Sequence, residues 1–563
     1  MAAQGRIRRL MPLVGLALSA LAGCSVKTNV DATGTAPATA SHLAVTVTEV
    51  WLASAADTLP ESSSGWLKQT LATPVTIDLA TLTPGTLVSL ASQVGTTAGT
   101  YRQLHLVLAE STGTLTSSAQ GVGLLYNAQY SVTDASGAVT DRPLELPVPG
   151  AGMTLPVNLT LVGKIALGSS TGVAGTTTNT PSTTGTLGTG STTVSAALAI
   201  DGARDLLSFA VGANTGYMLS ASTRLVDESL AGAITGTLDA SALPTPHPPV
   251  WVSAEEPDST GTHHVIVARA LADAAGVFTL YPLPAPKTGL AQYDVVISCA
   301  GAETVIVTGV PVSAQAVTAP AALSSTTISL AAAPTVYADV APDNPLLPGG
   351  ARVAFYQTAA TVNALPYQID GVAVDPVSHR LPGDAFGLSS GPLVAGAYSS
   401  GGSIAFTVTS PAQGNGGYIT GSEGPYRTDA LAAAATAVTG TLTGPSEVAV
   451  PVPGIAAGGR AGALTVTISA PPGGFDAGFL VASAGGRVVE TADIASLLAA
   501  GGGIVTLSLP AGSALAASAG VPYQVAARAW NSSNPAGTYL ATAGSGSVNL
   551  GDTGIAAVAI AVP

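Results

Sequence analysis

The chain has 563 residues, of which 47% are hydrophobic and only 9% charged, with 18 Lys and Arg against 32 Asp and Glu for a formal net charge of −14. A chain of this length exceeds what one hydrophobic core organises, so several domains are expected, and so few charges argue against intrinsic disorder. Recognition of a phosphate backbone needs clustered Lys and Arg, and no basic run occurs, so nucleic acid is not expected as a partner.

The N-terminus sets the address. Arg6, Arg8 and Arg9 precede an uncharged apolar run from Leu10 to Ala20, which is shorter than the ~20 residues of a membrane helix. Leu21-Ala22-Gly23-Cys24 follows and resembles the lipobox of bacterial lipoproteins. The resemblance implies a signal peptide over residues 1–23, cleavage between Gly23 and Cys24, and lipidation of Cys24, with palmitate among the acyl groups. Ser25 in place of Asp after the cysteine resembles the signal that passes a lipoprotein to the outer membrane of a Gram-negative bacterium. The mature chain would then have only Cys24 and Cys299, so no internal disulfide is expected; Cys299, in the strand-like run Val295–Ala300, reads as a small buried hydrophobe.

Residues 24–41 are rich in Ala, Thr and Gly without an apolar period and read as a flexible tether between lipid and first domain. From His42 an alternation begins, with Leu43, Val45 and Val47 on one face and Ala44, Thr46 and Thr48 on the other, the mark of a half-buried strand. Such short strands, with 66 Gly and 39 Pro as punctuation, recur to the C-terminus, and the fold class expected is all-β, a string of β-sandwich-type domains.

His42–Trp51, Gly65-Trp66, Ile77-Asp78-Leu79 and Gly99–Leu108, with later strands at Val194–Ile200, Gly216–Leu219 and Arg224-Leu225-Val226, resemble a domain of unknown function of bacterial envelope lipoproteins, the family numbered four-three-eight-two. The resemblance covers residues 42–228 and implies a β-domain without established activity. Inside it, residues 164–193 form a Thr/Gly/Ser tract expected to be a surface loop. Residues 229–332, with Asp273–Pro284 and Tyr293–Ile297, resemble a carboxypeptidase regulatory-like, transthyretin-like β-sandwich. Asp273-x-x-Gly276 is a tight turn, with Phe278 and Leu280 pointing inward from the strand after it. A β-domain is expected over 333–445, and a last unit over 446–563 in which Tyr523–Trp530 resembles a fibronectin type III strand and Asp493–Ala500 reads as a helix stopped by Gly501-Gly502-Gly503.

Catalytic patterns are weak. G-x-S-x-G occurs at Gly387–Gly391 and at Gly168–Gly172, but Pro392 and a strand-like segment follow the first where a helix is needed, and the second lies in the low-complexity tract. His263 and His264 alternate on a strand and so do not chelate one metal, reading instead as a solvated edge, and His105 faces away from Leu104 and Leu106. Glu255, Glu256 and Asp258 near Trp251 read as a solvated acidic turn rather than a calcium loop. No catalytic residue, cofactor or metal site is therefore expected. The functional expectation is a non-enzymatic, lipid-anchored outer-membrane protein that meets the membrane through its lipid and binds an envelope protein or polysaccharide. The alternatives are a glycan-binding module using Trp66, Trp251 or Trp530, and a cryptic envelope hydrolase.

Overall fold

A computed structural model describes residues 25–55, 63–82, 85–97, 99–134, 136–145, 153–161, 166–167, 187–188, 192–211, 214–219, 223–243, 245–247, 249–258, 261, 264–299, 304–328, 335–340, 352–357, 365, 367–373, 403–409, 436–439, 447–452, 460–470, 474–484, 487–511, 521–531, 542–550 and 555–562. The protein is all-β, built from several separate sheets.

The first unit contains β1 (Ser25–Thr35), β2 (Ala40–Ala53), β3 (Leu67–Asp78), β4 (Val88–Thr97), β5 (Gly99–Leu108), β6 (Gln129–Thr133), β7 (Val139–Glu145), β8 (Met153–Leu161), the two-residue β9 (Ala166–Leu167) and β10 (Leu187–Gly188), β11 (Thr192–Asp201), β12 (Leu206–Val211), β13 (Asn214–Leu219) and β14 (Thr223–Asp227). One sheet runs β14-β11-β1-β4; the other runs β12-β13-β7-β6-β2-β5-β8, with β3 also on β2. Leu43, Val45, Leu104 and Leu106 from the second sheet meet Val30, Ala32, Leu198 and Ile200 from the first in one core. The other face of β2 is covered too, because Ala44 packs under Ala119 and Leu124 and Thr46 donates to the Asn127 carbonyl.

Residues 25–41 are not the flexible tether expected from their composition. Ser25–Thr35 is an interior strand, parallel to β11 and antiparallel to β4, and Ala40 and Ser41 already belong to β2. Thr28, Val30 and Ala32 recur at period two and are fully buried. The β-branched Thr28 and Val30 favour a strand, and pairing with β11 and β4 carries the small residues between them, so a composition that resembles a linker forms a strand. Of the 164–193 tract, only β9, β10 and the start of β11 lie within the described residues.

The second unit is a two-layer sandwich of β15 (Ala231–Asp239), β16 (Val250–Pro257), β17 (His264–Leu271), β18 (Val277–Pro284), β19 (Ala291–Cys299), β20 (Val305–Val312), β21 (Val317–Thr318) and β22 (Ser324–Thr327). β18-β15-β21, with β22 also on β15, faces β17-β16-β19-β20. Ile234, Phe278, Leu280 and Leu283 from one layer pack on Val252, Ala254, Val295 and Ile297 from the other, with Cys299 buried in the same core. The Asp273 turn forms as read: its Oδ1 accepts from Ala275 N and Val277 N, and Gly276 takes φ +76°, where an added Cβ would collide with the Leu238 carbonyl.

The third unit has β23 (Thr335–Val340), β24 (Arg352–Gln357), β25 (Tyr367–Ala373), β26 (Ser403–Thr409), β27 (Thr436–Thr439) and β28 (Glu447–Val452), in the order β25-β24-β26-β27 beside a β23-β28 pair. Because β28 pairs in parallel with β23, the boundary placed between 445 and 446 cuts a sheet; residues 447–452 go with the third unit.

The last unit stacks β32-β29-β35 on β31-β30-β33-β34, from β29 (Arg460–Ser469), β30 (Ala477–Ala484), β31 (Arg487–Asp493), α1 (Ala495–Ala499), β32 (Gly502–Ala511), β33 (Val521–Trp530), β34 (Thr542–Leu550) and β35 (Ile555–Ala561). α1 lies inside the span expected to be helical, and Gly501 at φ +78° stops it. The chain returns on itself at this point. Phe479, Val481, Ala526 and Trp530, on the outer face of β30 and β33, pack against Leu207, Phe209 and Met218 of the first unit, with Phe209 and Phe479 edge to face at 4.9 Å. Beside this contact Arg528 Nη1 lies 2.8 Å from Glu145 Oε2, and its Nη2 donates to Thr112 Oγ1 at 2.7 Å. Burial pushes the Glu145 carboxyl above its ordinary value; Arg528 pulls it down and Glu110 adds to the rise.

Candidate functional site at the polar junction of the second and third units

The pleat of β16 sends Val252 and Ala254 into the sandwich core and leaves Ser253 and Glu255 on the opposite face. On the neighbouring strands that face carries His264, Ile266, Asp294 and Val296. A lone sheet face of this composition would be solvated, but here β25 lies over it. Tyr367 is fully buried against Val296 and Ile306, its ring is stacked on His264 at 4.1 Å and 13°, and its hydroxyl donates to Asp294 Oδ2 at 2.7 Å. Gln368 follows: its backbone N–H donates to Glu255 Oε2 at 3.0 Å, and its side-chain Oε1 accepts from Ile266 N at 3.4 Å.

Two carboxyls face each other in this junction, since Glu255 and Asp294 are direct cross-strand partners. Glu255 is completely buried, with Ser253 Oγ 2.9 Å from its Oε1. Burial pushes its carboxyl up to about 8, Asp294 adds to the rise, and the Ser253 and Gln368 hydrogen bonds oppose it. Burial alone would raise Asp294 too, but His264 Nε2 at 3.4 Å, the Tyr367 hydroxyl and the Gly309 N–H at 2.7 Å together hold it below the usual carboxylate range. Two carboxyls driven apart in this way are what acid–base chemistry uses. Here both Glu255 oxygens are committed to partners within the contact, Oε1 to Ser253 and Oε2 to the Gln368 N–H.

Glu255 is not in a solvated acidic turn: it lies within a strand, is buried by a segment more than a hundred residues away, and only Glu256 is exposed. His264 is not at a solvated edge but is 1% exposed beneath Tyr367, while His263 lies outside the described residues. His105 is 1% exposed and sits among Trp51 and Trp66, with ring centroids at 4.7 and 5.7 Å. Trp66 and Trp530 are buried and so offer no sugar platform, while half-buried Trp251 has one ring face under the Arg269 guanidinium at 3.8 Å. Gly23, Cys24 and both G-x-S-x-G segments lie outside the described residues. Among the described residues no group of three or more His, Cys, Asp or Glu is placed to hold a metal, and no helix is long and apolar enough to cross a membrane.

A second polar region adjoins the first and second units. A cavity of about 270 Å³ is lined by Leu79, Ile200, Asp201, Arg224, Arg269 and Tyr281 among others, with Thr35 Oγ1 donating to Asp201 Oδ1 at 2.8 Å. Between the units Glu228 is raised to about 7 by burial, a hydrogen bond with Asp31 and repulsion from Asp31 and Asp227.

The family model of a domain of unknown function (DUF4382) matches residues 29–147. The match begins inside β1 rather than at residue 42 and ends just after β7, so β11 and β14, which complete the sheet of β1, lie beyond it. No curated protein matches the chain. Among solved structures, the chain is similar to the TIE protein of Bacillus anthracis at 8% identity, over 95% of this chain and 73% of that one, with a TM-score of 0.14. It is also similar to a leucine-rich repeat protein of Bacteroides thetaiotaomicron at 12% identity, over 54% and 27% of the two chains, with a TM-score of 0.13. For the major pilin subunit of Bacillus cereus the values are 9% identity, 59% and 99% coverage, and 0.12. Superpositions this poor carry no argument about fold or role.

Proposed function

We propose that the protein is a lipid-anchored component of the outer membrane of a Gram-negative bacterium, with a non-enzymatic structural or binding role toward an envelope protein or polysaccharide. The observation that carries the non-enzymatic part is where the buried charges go. Glu255 and Asp294 join the second unit to the third, and Arg528 and Glu145 join the first to the last, so the groups best suited to chemistry are spent on holding units together. The anchor rests on Arg6, Arg8, Arg9, the apolar run and Leu21-Ala22-Gly23-Cys24. We further take residues 229–332 as a carboxypeptidase regulatory-like β-sandwich, supported by its two facing four-stranded layers.

The test is metabolic labelling with a palmitate analogue in a Gram-negative host, followed by separation of inner and outer membranes. The wild-type chain should take up label and sediment with the outer membrane, and Cys24→Ala should lose both properties. Label retained by Cys24→Ala, or membrane attachment that survives a salt wash, refutes the anchor.

A further inference from the structure

We propose that the contact between β25 and the sheet of β16, β17 and β19 is a proton-operated latch, in which Glu255 docks as the neutral acid and its ionisation releases the β24–β25 hairpin from the second unit.

The closed geometry satisfies the neutral form completely. Ser253 Oγ donates to Glu255 Oε1 at 2.9 Å and lies 3.4 Å from the Val296 carbonyl; with a proton on Oε1 the first bond reverses and the serine hydroxyl turns to that carbonyl. Glu255 Oε2 remains the acceptor for Gln368 N. When Glu255 loses the proton to solvent, Ser253 must turn its hydroxyl back to Oε1 and give up the strand carbonyl. The new anion then lies directly across the ladder from ionised Asp294, in a fully buried position, where like charges opposed across a sheet destabilise it.

Among the described residues no cation offsets that charge. His264, from β17, approaches Asp294 rather than Glu255, and from β25 the facing group is the Tyr367 hydroxyl, also given to Asp294. Glu256, next on β16, is exposed and adds only negative charge, while Arg269, further along β17, has its guanidinium over Trp251. With the hairpin lifted, Glu255 becomes a surface carboxylate and charges freely.

The linkage has one sign. The closed form holds the proton up to about 8 and the open form releases it near the ordinary glutamate value of 4.5. Closure is therefore fully favoured below the lower value and is lost as pH rises through the upper one, with the open-to-closed ratio growing by up to about tenfold per pH unit between them.

The experiment is hydrogen exchange on the full chain between about pH 5.5 and 9, corrected for intrinsic exchange rates and read at the Ile266 and Gln368 amides. Protection of both should fall by at least about tenfold from pH 6 to pH 9. Glu255→Gln, which keeps both hydrogen bonds without a titrating group, should remain closed throughout. Tyr367→Phe removes the bond to Asp294 but leaves Glu255, and should lower protection at every pH while keeping the slope. Flat protection in the wild type, the same slope in Glu255→Gln, or loss of the slope in Tyr367→Phe would each overturn the latch.

Discussion

Val30→Ala separates a structural first strand from a tether. Val30 is fully buried between β11 and β4, pairing with Ala196 and Ala91, so the substitution removes two methyl-sized groups from a closed core. At about 0.8 kcal/mol per buried carbon the transfer loss is about 1.6 kcal/mol, and the void left between strands held apart by their backbone ladders brings the total to about 2–3 kcal/mol. For a unit of about 200 residues that is a fall of roughly 5–10 °C in its transition. Differential scanning calorimetry of the full chain reads it, because a loss confined to one of several transitions identifies the unit affected. A change below about 0.5 kcal/mol, the size expected of a surface substitution, would refute the assignment of residues 25–35 to the core.

Arg528→Ala leaves Glu145 buried without its counter-charge and should destabilise the contact between first and last units by about 3–5 kcal/mol; adding Glu145→Gln should restore part of it, and absence of that recovery in a double-mutant cycle would show that the pair is not coupled. Glu228 is raised to about 7 from 4.5, so its contribution is fully present below the lower value and lost as pH rises through the higher one. Glu228→Gln should therefore flatten the pH dependence of thermal stability across that window, and an unchanged slope would place the effect elsewhere.

Much of the architecture is legible along the chain where burial is decided locally. The alternation Leu43, Val45, Val47 gives β2, Asp273 with Gly276 gives the turn before β18, and the glycines after Ala500 end α1, because each signal acts within a few residues. What escapes local reading is set by distant partners. Glu255 looks like part of a solvated acidic turn until Gln368 closes over it, and His264 looks exposed until Tyr367 stacks on its ring. Arg528 shows no sign in its own strand that Glu145, at the end of β7, will neutralise it. β1 escapes for another reason: Ala and Gly have little strand preference of their own, and the partner strands β11 and β4 are what make this segment a strand.

The parallel pairing of β1 with β11 has a kinetic consequence. A chain made from its N-terminus releases Ser25–Thr35 before the other described strands, yet one side of that strand stays open until Thr192–Asp201 arrives some 160 residues later. β4 offers an earlier antiparallel partner, but β14 closes the sheet only through β11, so its completion waits on residues up to Asp227. Non-local closure of this kind is slow, since the loop entropy must be spent before any contact repays it. Throughout that interval the leading segment remains threadable, and the last strands of the first unit, rather than its first, decide when that segment is committed to the fold.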